Sequence, residues 1–319
     1  MKRMIWKLLV LVILPLPLCA QEESVVPAET EKPKRTWYEA LEGLTVGLES
    51  GTHEYPLKVW YPTLGDEDGY SVRSIYFKPS AAYRYKLQDF DLRAELDFTL
   101  DWGAPDPKPG AVSLSEKVTD RKHWFWVHLK EEVFYPVDKL LSEKITAKIP
   151  GSVTAFMTND NTFYVIPDFP GAKKIEGVVE PGGIYSQEMS LGFLEGTVEG
   201  RLGFPFSYVD RYRSGLGFGM NLGGAWRKIR GLNLDVEIEA GMTFIPDIKY
   251  TQTKLNAVYG WKNFSAELEI VIVEAFKPLS INPEIHYRFY NWDFWAGINI
   301  TQIRVAAAYS PYLGLAWNF

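Results

Sequence analysis

Cysteine is almost absent from this chain of 319 residues, which contains only Cys19. One cysteine cannot form a disulfide within the chain, so no disulfide framework holds the fold together. Histidine is also scarce, with four residues, and the net charge is −6. An acidic chain is a poor candidate for nucleic-acid binding, which normally requires a basic surface. These absences exclude a disulfide-stapled domain and argue against a nucleic-acid partner.

Long apolar runs are also missing after residue 20. A helix needs about 20 predominantly apolar residues to cross a bilayer, and no later segment supplies them. Aromatic residues nevertheless make up 15% of the chain, including 11 tryptophans. Only helices and closed β-barrels satisfy every backbone polar group in lipid. If this chain is integral to a membrane, it must therefore be a closed barrel.

The first twenty residues have the form of a secretory signal peptide. Basic residues occur within the first seven positions, an apolar run follows over Leu8–Leu18, and Ala20 precedes polar sequence. This pattern predicts cleavage after Ala20, which leaves a mature chain without cysteine and with a net charge of −9. Lipidation of Cys19 is the alternative, although Leu18 stands where a lipobox takes a small residue. Residues 21–43 are polar and are predicted to form a largely disordered periplasmic lead.

The rest of the chain alternates apolar and polar residues over long stretches. The alternation is clearest over 90–102, 216–226, 232–244 and 281–289. Strict two-residue alternation indicates a β-strand with one apolar face, and spans near ten residues suit a tilted membrane strand. Short polar turns flanked by aromatic residues recur at 86–89, 227–231, 262–263 and 290–291. These features predict an all-β, antiparallel fold with an aromatic girdle at one rim.

The strand count is predicted to be about fourteen, an even number as single-chain bacterial barrels require. Twelve is the alternative if 142–157 is not part of the barrel. Two long segments rich in proline, glycine and aspartate, 103–122 and 158–182, are predicted to be extracellular loops. The predicted strands are 44–61, 72–86, 89–102, 123–134, 142–157, 183–193, 196–208, 213–228, 231–245, 250–261, 263–275, 281–290, 292–301 and 303–319.

The last strand carries the apolar residues Leu313, Leu315, Trp317 and Phe319 on one face. It resembles the C-terminal targeting strand of bacterial outer-membrane β-barrels, in which phenylalanine is the usual last residue. The resemblance is to that class and to no particular porin family. It implies a single transmembrane up-and-down barrel over residues 44–319 in the bacterial outer membrane, surrounded by lipid. It also implies that periplasmic chaperones and the barrel-assembly machinery insert the protein. A soluble β-sandwich or lipocalin-like barrel, with its apolar face inward, is the alternative.

If the apolar face meets lipid, the charged face lines the lumen. So many charges cannot share a dry core without pairing, so they require either a water-filled pore or a salt-bridge network that closes it. The acidic residues on neighbouring segments favour cations. The predicted lining residues are Asp91, Arg93, Glu95, Asp97, Arg227, Asp235, Glu237, Glu239, Glu267, Glu269, Glu284, His286 and Arg288.

The sequence is compatible with three alternative functions. The first is a channel for small hydrophilic solutes or ions, with a preference for cations. The second is a closed structural or surface-recognition barrel. The third is a transporter of hydrophobic substrates through a lateral opening, for which Trp124, Trp126, Pro79 and Pro283 are the support. No histidine lies in a Ser/His/Asn pattern like that of outer-membrane phospholipases, so no enzyme activity, cofactor or metal site is predicted.

Overall fold

A computed structural model describes residues 41–56, 71–105, 121–140, 150–165, 173–210, 214–245, 248–273, 278–303 and 306–319. The predicted signal peptide, and the predicted lead as far as residue 40, lie outside this part of the chain. The described part contains fifteen β-strands and one short 3-10 helix, Val137–Leu140. No helix in the described ranges is long and apolar enough to cross a membrane.

The strands are long and follow one another closely along the chain. They are β1 Leu44–Pro56, β2 Ser71–Leu87, β3 Phe90–Pro105, β4 Arg121–Pro136, β5 Ser152–Val165, β6 Lys173–Leu191, β7 Leu194–Gly203, β8 Phe206–Asp210, β9 Ser214–Ile229, β10 Leu234–Ile245, β11 Ile248–Trp261, β12 Phe264–Val273, β13 Pro278–Phe289, β14 Trp292–Ile303 and β15 Ala306–Asn318.

The sheet closes on itself as an antiparallel barrel. Apart from β7 and β8, which do not pair with each other, each strand pairs with its neighbours in the chain, and β15 pairs with β1. β7 and β8 occupy one position, because both pair with β6 on one side and β9 on the other. The fifteen segments therefore form fourteen positions in the wall. The predicted all-β barrel of fourteen strands is confirmed, and the alternative of twelve is wrong.

The break between β7 and β8 is a local loss of pairing. It falls at Phe204 and Pro205, and proline has no N–H to donate to a ladder. The pairing resumes without a slip, since Gly203 lies opposite Gly182 and Phe206 lies opposite Val179 of β6. The wall therefore keeps one continuous register across the break.

Tight hairpins lie at the end of the barrel where β15 finishes. Four of these turns have two residues, and the first residue of each has a positive φ: Gln88, Gly192, Lys262 and Tyr290, with φ of 52°, 66°, 55° and 53°. A positive φ at the first position is typical of type II′ turns, whose twist matches the strands that they join. Aromatic residues flank the turns that begin at Lys262 and Tyr290, as Trp261 and Phe264 do at the first of them. The sequence pattern of polar turns between aromatic residues therefore does correspond to hairpins at one rim.

The predicted loop at 158–182 is wrong over most of its length. β5 continues to Val165 and β6 begins at Lys173, so only residues 166–172 remain outside the described strands. Strand β6 contains Gly177, Pro181 and Gly182, which are poor strand formers in isolation. Their pairing with β5 on one side and with β7 and β8 on the other overrides that local preference. The predicted strand at 142–157 starts instead at Ser152, and residues 141–149 lie outside the described part.

The limits predicted for the other loop lie close to the ends of the strands in the structure. β3 extends to Pro105 and β4 starts at Arg121, each within three residues of the predicted limits of 103–122. Residues 106–120 between them lie outside the described part.

The two faces of the wall differ in chemistry. On one face, polar side chains reach across an intervening strand, as between His53 of β1 and Asp101 of β3, 2.9 Å apart. Such contacts are favoured on the concave inner side of a barrel, where side chains converge. The opposite face carries large apolar side chains that are exposed: Leu48, Ile75, Phe77, Trp102, Phe206, Phe218, Ile238, Leu268, Ile285 and Leu313. An exposed outward apolar band with a polar interior is the pattern of a transmembrane barrel.

One chain of polar side chains interrupts the outer apolar face. The hydroxyl of Tyr208 donates to the Asn161 carbonyl oxygen (3.0 Å), and the Asn161 amide donates to Asn159 (2.8 Å). The Asn159 amide then donates to a Glu131 carboxylate oxygen (3.0 Å). Gly177 makes this possible, since a Cβ there would lie 2.4 Å from the Tyr208 ring. This network was not predicted from the sequence, because Asn159 and Asn161 fall in the predicted loop at 158–182.

We expect Tyr208→Phe to destabilise the barrel by about 1 kcal/mol, because it removes the hydrogen bond to Asn161 on a face that meets lipid. The measurement is the free energy of unfolding in lipid vesicles, followed by tryptophan fluorescence in increasing denaturant. Tyr290→Phe is the matched control, since Tyr290 is 84% exposed in a hairpin turn. Equal effects of both substitutions would contradict a stabilising role for the outer network.

Candidate functional site

The inner wall brings together the residues that the sequence analysis grouped. The strand register places the thirteen predicted lining residues on one shared face, with the acids of β10 opposite same-face positions of β9 and β11. That they line an open channel stays a prediction. Two-residue alternation within each strand accounts for this placement. The register then decides which of these side chains meet, and they form four clusters.

The first cluster lies on β2, β3 and β4, close to the hairpin rim. Asp91 accepts two hydrogen bonds from Arg84, of 2.9 and 2.6 Å, and a third from Arg93 (3.2 Å). The Arg93 guanidinium also lies over the ring of Phe134, 4.6 Å from its centre. One carboxylate thus joins two arginines from neighbouring strands.

The second cluster is centred on His128 of β4. Its Nδ1 lies 2.9 Å from Asp97 of β3, and its Nε2 lies 2.8 Å from Asp160 of β5. Both ring nitrogens are therefore engaged, by carboxylates on opposite sides of the imidazole. Asp97 was predicted to line the wall, whereas Asp160 fell in a segment predicted to be a loop and was missed.

The third cluster spans β6, β7, β9 and β10 and contains two arginines, each held between two acids. Arg227 contacts Glu199 (3.0 Å) and Glu237 (2.7 Å). Arg201 lies 3.5 Å from Glu180 and 3.8 Å from Glu239. These ion pairs fasten four neighbouring strands together on the inner side.

Glycine lets the buried member of this third cluster lie flat on the wall. Glu180 is 7% exposed and also accepts a hydrogen bond from Asn221, of 3.1 Å. A Cβ at Gly203 would come 1.7 Å from a Glu180 carboxylate oxygen, so no other residue fits there without displacing the acid. Glu180 fell within the predicted loop at 158–182, which is why the sequence analysis missed it.

The fourth cluster lies on β11 to β14. Lys254 and Asn282 both contact Glu269, the latter at 2.9 Å. His286 Nε2 lies 2.5 Å from Glu284, and Arg288 pairs with Asp293 at 3.0 Å. Asp293 was not among the predicted residues, although continuing the alternation after the turn at 290–291 places it on the inner face.

Aromatic side chains also face inward, and the sequence analysis did not identify these either. Tyr76 of β2 donates to Glu49 (2.9 Å), and the indole N–H of Trp295 in β14 donates to the other oxygen of Glu49 (3.0 Å). Trp126 stacks with His53 at a ring separation of 6.2 Å. The side chain of Trp124 lies outside the described part. The inner wall is therefore amphipathic in places rather than uniformly charged.

The inner side chains of β9–β13 carry a net negative charge. Among the described inner side chains of β9–β13, six are acidic and three are basic, with one histidine. The three bases are each paired with an acid, so the remaining carboxylates give this side of the wall a net negative charge. The six acids are Asp235, Glu237, Glu239, Glu267, Glu269 and Glu284, and the three bases are Arg227, Lys254 and Arg288.

Known proteins resemble this chain only distantly. No protein-family model and no curated protein matches it. Among solved structures, a deltaS2S3 mutant of the TodX monoaromatic hydrocarbon channel is 9% identical with a TM-score of 0.44, and the match covers 87% of this chain and 91% of that one. Salmonella typhi OmpF is 8% identical with a TM-score of 0.36, over 86% and 97% of the two chains. Acinetobacter baumannii OccAB4 is 8% identical with a TM-score of 0.38, over the same shares.

We expect Arg227→Met to destabilise the barrel by about 1–2 kcal/mol, because it leaves Glu199 and Glu237 together without their shared counter-charge. This loss in the free energy of unfolding lies between the values expected for exposed and for buried ion pairs, since these side chains are about one-third exposed. The measurement is the denaturant midpoint of unfolding in lipid vesicles. Arg230→Met is the control, since Arg230 and Glu195 are 81% and 56% exposed. A shift as large in the control would refute the argument.

Proposed function

We propose that this protein forms a water-filled channel for small hydrophilic solutes or ions in the bacterial outer membrane, with a preference for cations. The observation that carries the proposal is a closed fourteen-position barrel with an apolar outer face and an ionised inner wall. A barrel of this size has a wider interior than an eight-stranded one, which side chains can fill. Export through the predicted signal peptide would deliver it to that membrane.

Water is the natural content of such an interior. Most inner carboxylates and bases are partly exposed, as for Glu237 and Arg227 at 28% and 34%. Transfer of an ionised group into a dry interior costs several kcal/mol even in a pair. Partial exposure of so many charges is therefore best explained by solvent in the lumen.

Cation preference follows from the excess of carboxylates on β10, β12 and β13. In a pore, rings or stripes of one charge raise the local concentration of the opposite ion. The arginine cluster on β2 and β3 opposes this effect near the hairpin rim, where Arg84 and Arg93 share Asp91. The net ion preference is therefore set by the balance between the carboxylates of β10, β12 and β13 and the arginines of β2 and β3.

The test is single-channel recording of refolded mature protein in a planar bilayer under a salt gradient. We expect discrete current steps and a reversal potential of the sign for cations. The triple substitution Asp235→Asn, Glu237→Gln and Glu239→Gln should move the reversal potential towards zero or past it, because it frees positive charge on β7 and β9. Glu131→Gln is the control, since that carboxylate lies on the outer face.

A second candidate is a closed barrel that acts through surface recognition. The ion pairs of Arg201 and Arg227 support it, because they link side chains of four neighbouring strands along the inner face. Protein that is folded, as judged by a heat-sensitive shift in gel mobility, but carries no current would favour this candidate over the channel.

A lateral route for hydrophobic substrates has weaker support. Pro79 and Pro283 each interrupt the pairing of one neighbouring strand, between Phe77 and Ser80 and between Ile281 and Glu284. The register is the same on both sides of each interruption, so neither proline separates the strands. The inward ring of Trp126 is the feature that still favours such a route.

Assembly by chaperones and the barrel-assembly machinery is proposed through the last strand. Leu313, Leu315 and Trp317 lie on the outer face, and the Phe319 amide donates to the Leu44 carbonyl oxygen (2.9 Å). We expect deletion of Phe319 to lower the amount of folded protein in outer-membrane fractions severalfold. Refolding of the same variant in detergent should be unchanged. Asn318→Ala is the control, and an equal loss in it would contradict a specific role for Phe319.

A further inference from the structure

Three metal-ligating side chains converge on the inner wall between β12 and β13. One donor atom from each of Glu267, Glu284 and His286 lies within 4.8 Å of the others. Glu267 and Glu284 are directly opposite each other in the strand register, and His286 follows two positions later on the same face. Like charges directly opposite on a sheet are destabilising. A cation between the two carboxylates would remove that repulsion.

We propose that Glu267, Glu284 and His286 bind a divalent transition-metal cation of the Zn²⁺ type. Imidazole nitrogen is a good ligand for zinc, copper and nickel, whereas calcium and magnesium take oxygen ligands. Zinc takes both imidazole and carboxylate ligands, and in sites with three protein ligands water occupies the fourth position. His286 and Glu284 are 26% and 17% exposed, so water in the lumen reaches the site.

The surroundings of His286 supply the second observation. Asp293 Oδ1 lies 3.8 Å from His286 Nδ1, and this buried oxygen has no hydrogen-bond partner among the described residues. Its other oxygen is held by Arg288 at 3.0 Å. Histidines that ligate metals usually direct their second ring nitrogen at a carboxylate, which orients the ring. Asp293 is placed to do this and leaves Nε2 directed at Glu284.

His128 provides a comparison with the proposed site at His286. It also lies on the inner wall beside two carboxylates, at 2.9 and 2.8 Å. Its partners approach opposite nitrogens of the ring, so their oxygens do not converge on one point. At His286 one ring nitrogen and one oxygen from each glutamate lie within 4.8 Å of one another. Nε2 lies 2.5 Å from Glu284, so this ring nitrogen already faces one of the proposed carboxylate ligands.

The test is isothermal titration of refolded, untagged protein with Zn²⁺ in detergent and a non-chelating buffer. We expect one Zn²⁺ per chain, with binding at least tenfold weaker in His286→Gln and in Glu267→Gln. Asp293→Asn should weaken binding about tenfold, as loss of an orienting partner does. A tenfold excess of Mg²⁺ or Ca²⁺ should not compete.

His128→Gln is the matched control, and its Zn²⁺ affinity should equal that of the wild type. Folding of each variant is checked by the heat-sensitive shift in gel mobility before titration. Absence of stoichiometric binding by the wild type, or an equal loss in His128→Gln, would overturn the proposal. The titration needs no current, so it stands or falls separately from the channel. A Zn²⁺ block of current that His286→Gln relieves would join the two.

Discussion

Closure of the sheet through β15 and β1 is the constraint on which the rest of the structure depends. In lipid every backbone N–H and C=O must find a partner within the protein, and an open edge would leave a whole strand unpaired. Seven consecutive residue pairs join Thr45–Gly51 to Tyr312–Asn318. This pairing links the two ends of the chain and gives the wall a concave inner side on which distant side chains can meet.

The inner clusters follow from that closure. Trp295 and Tyr76 both reach Glu49 although the first is separated from it by 246 residues and the second by 27. Carboxylates and arginines on different strands pair with one another. These ion pairs let the inner wall carry many charged side chains, because they offset the repulsion between like charges. The same register sets Glu267 against Glu284, and so creates the one place where two acids and a histidine converge within the described part of the chain.

Local preference gives way to pairing in the region around β5 and β6. Glycine, proline and asparagine in these segments weaken the strand signal, yet both strands are built because strong neighbours lie on either side. Glycines in this region make room for larger side chains. Phe156 lies against Gly182, and Glu180 lies against Gly203. The outer hydrogen-bonded network from Tyr208 to Glu131 likewise replaces apolar contact where alternation fails.

The sequence by itself determined the two-faced strands, the rim hairpins and the face shared by residues such as Asp235 and Glu284. These follow from alternation and turn chemistry, which depend on neighbours within a few residues. Only the tertiary structure decided that Arg227 joins Glu199 to Glu237, that Asp160 and Glu180 belong to the wall, and that Asp293 lies beside His286. Those contacts depend on register between strands, which alternation alone leaves open.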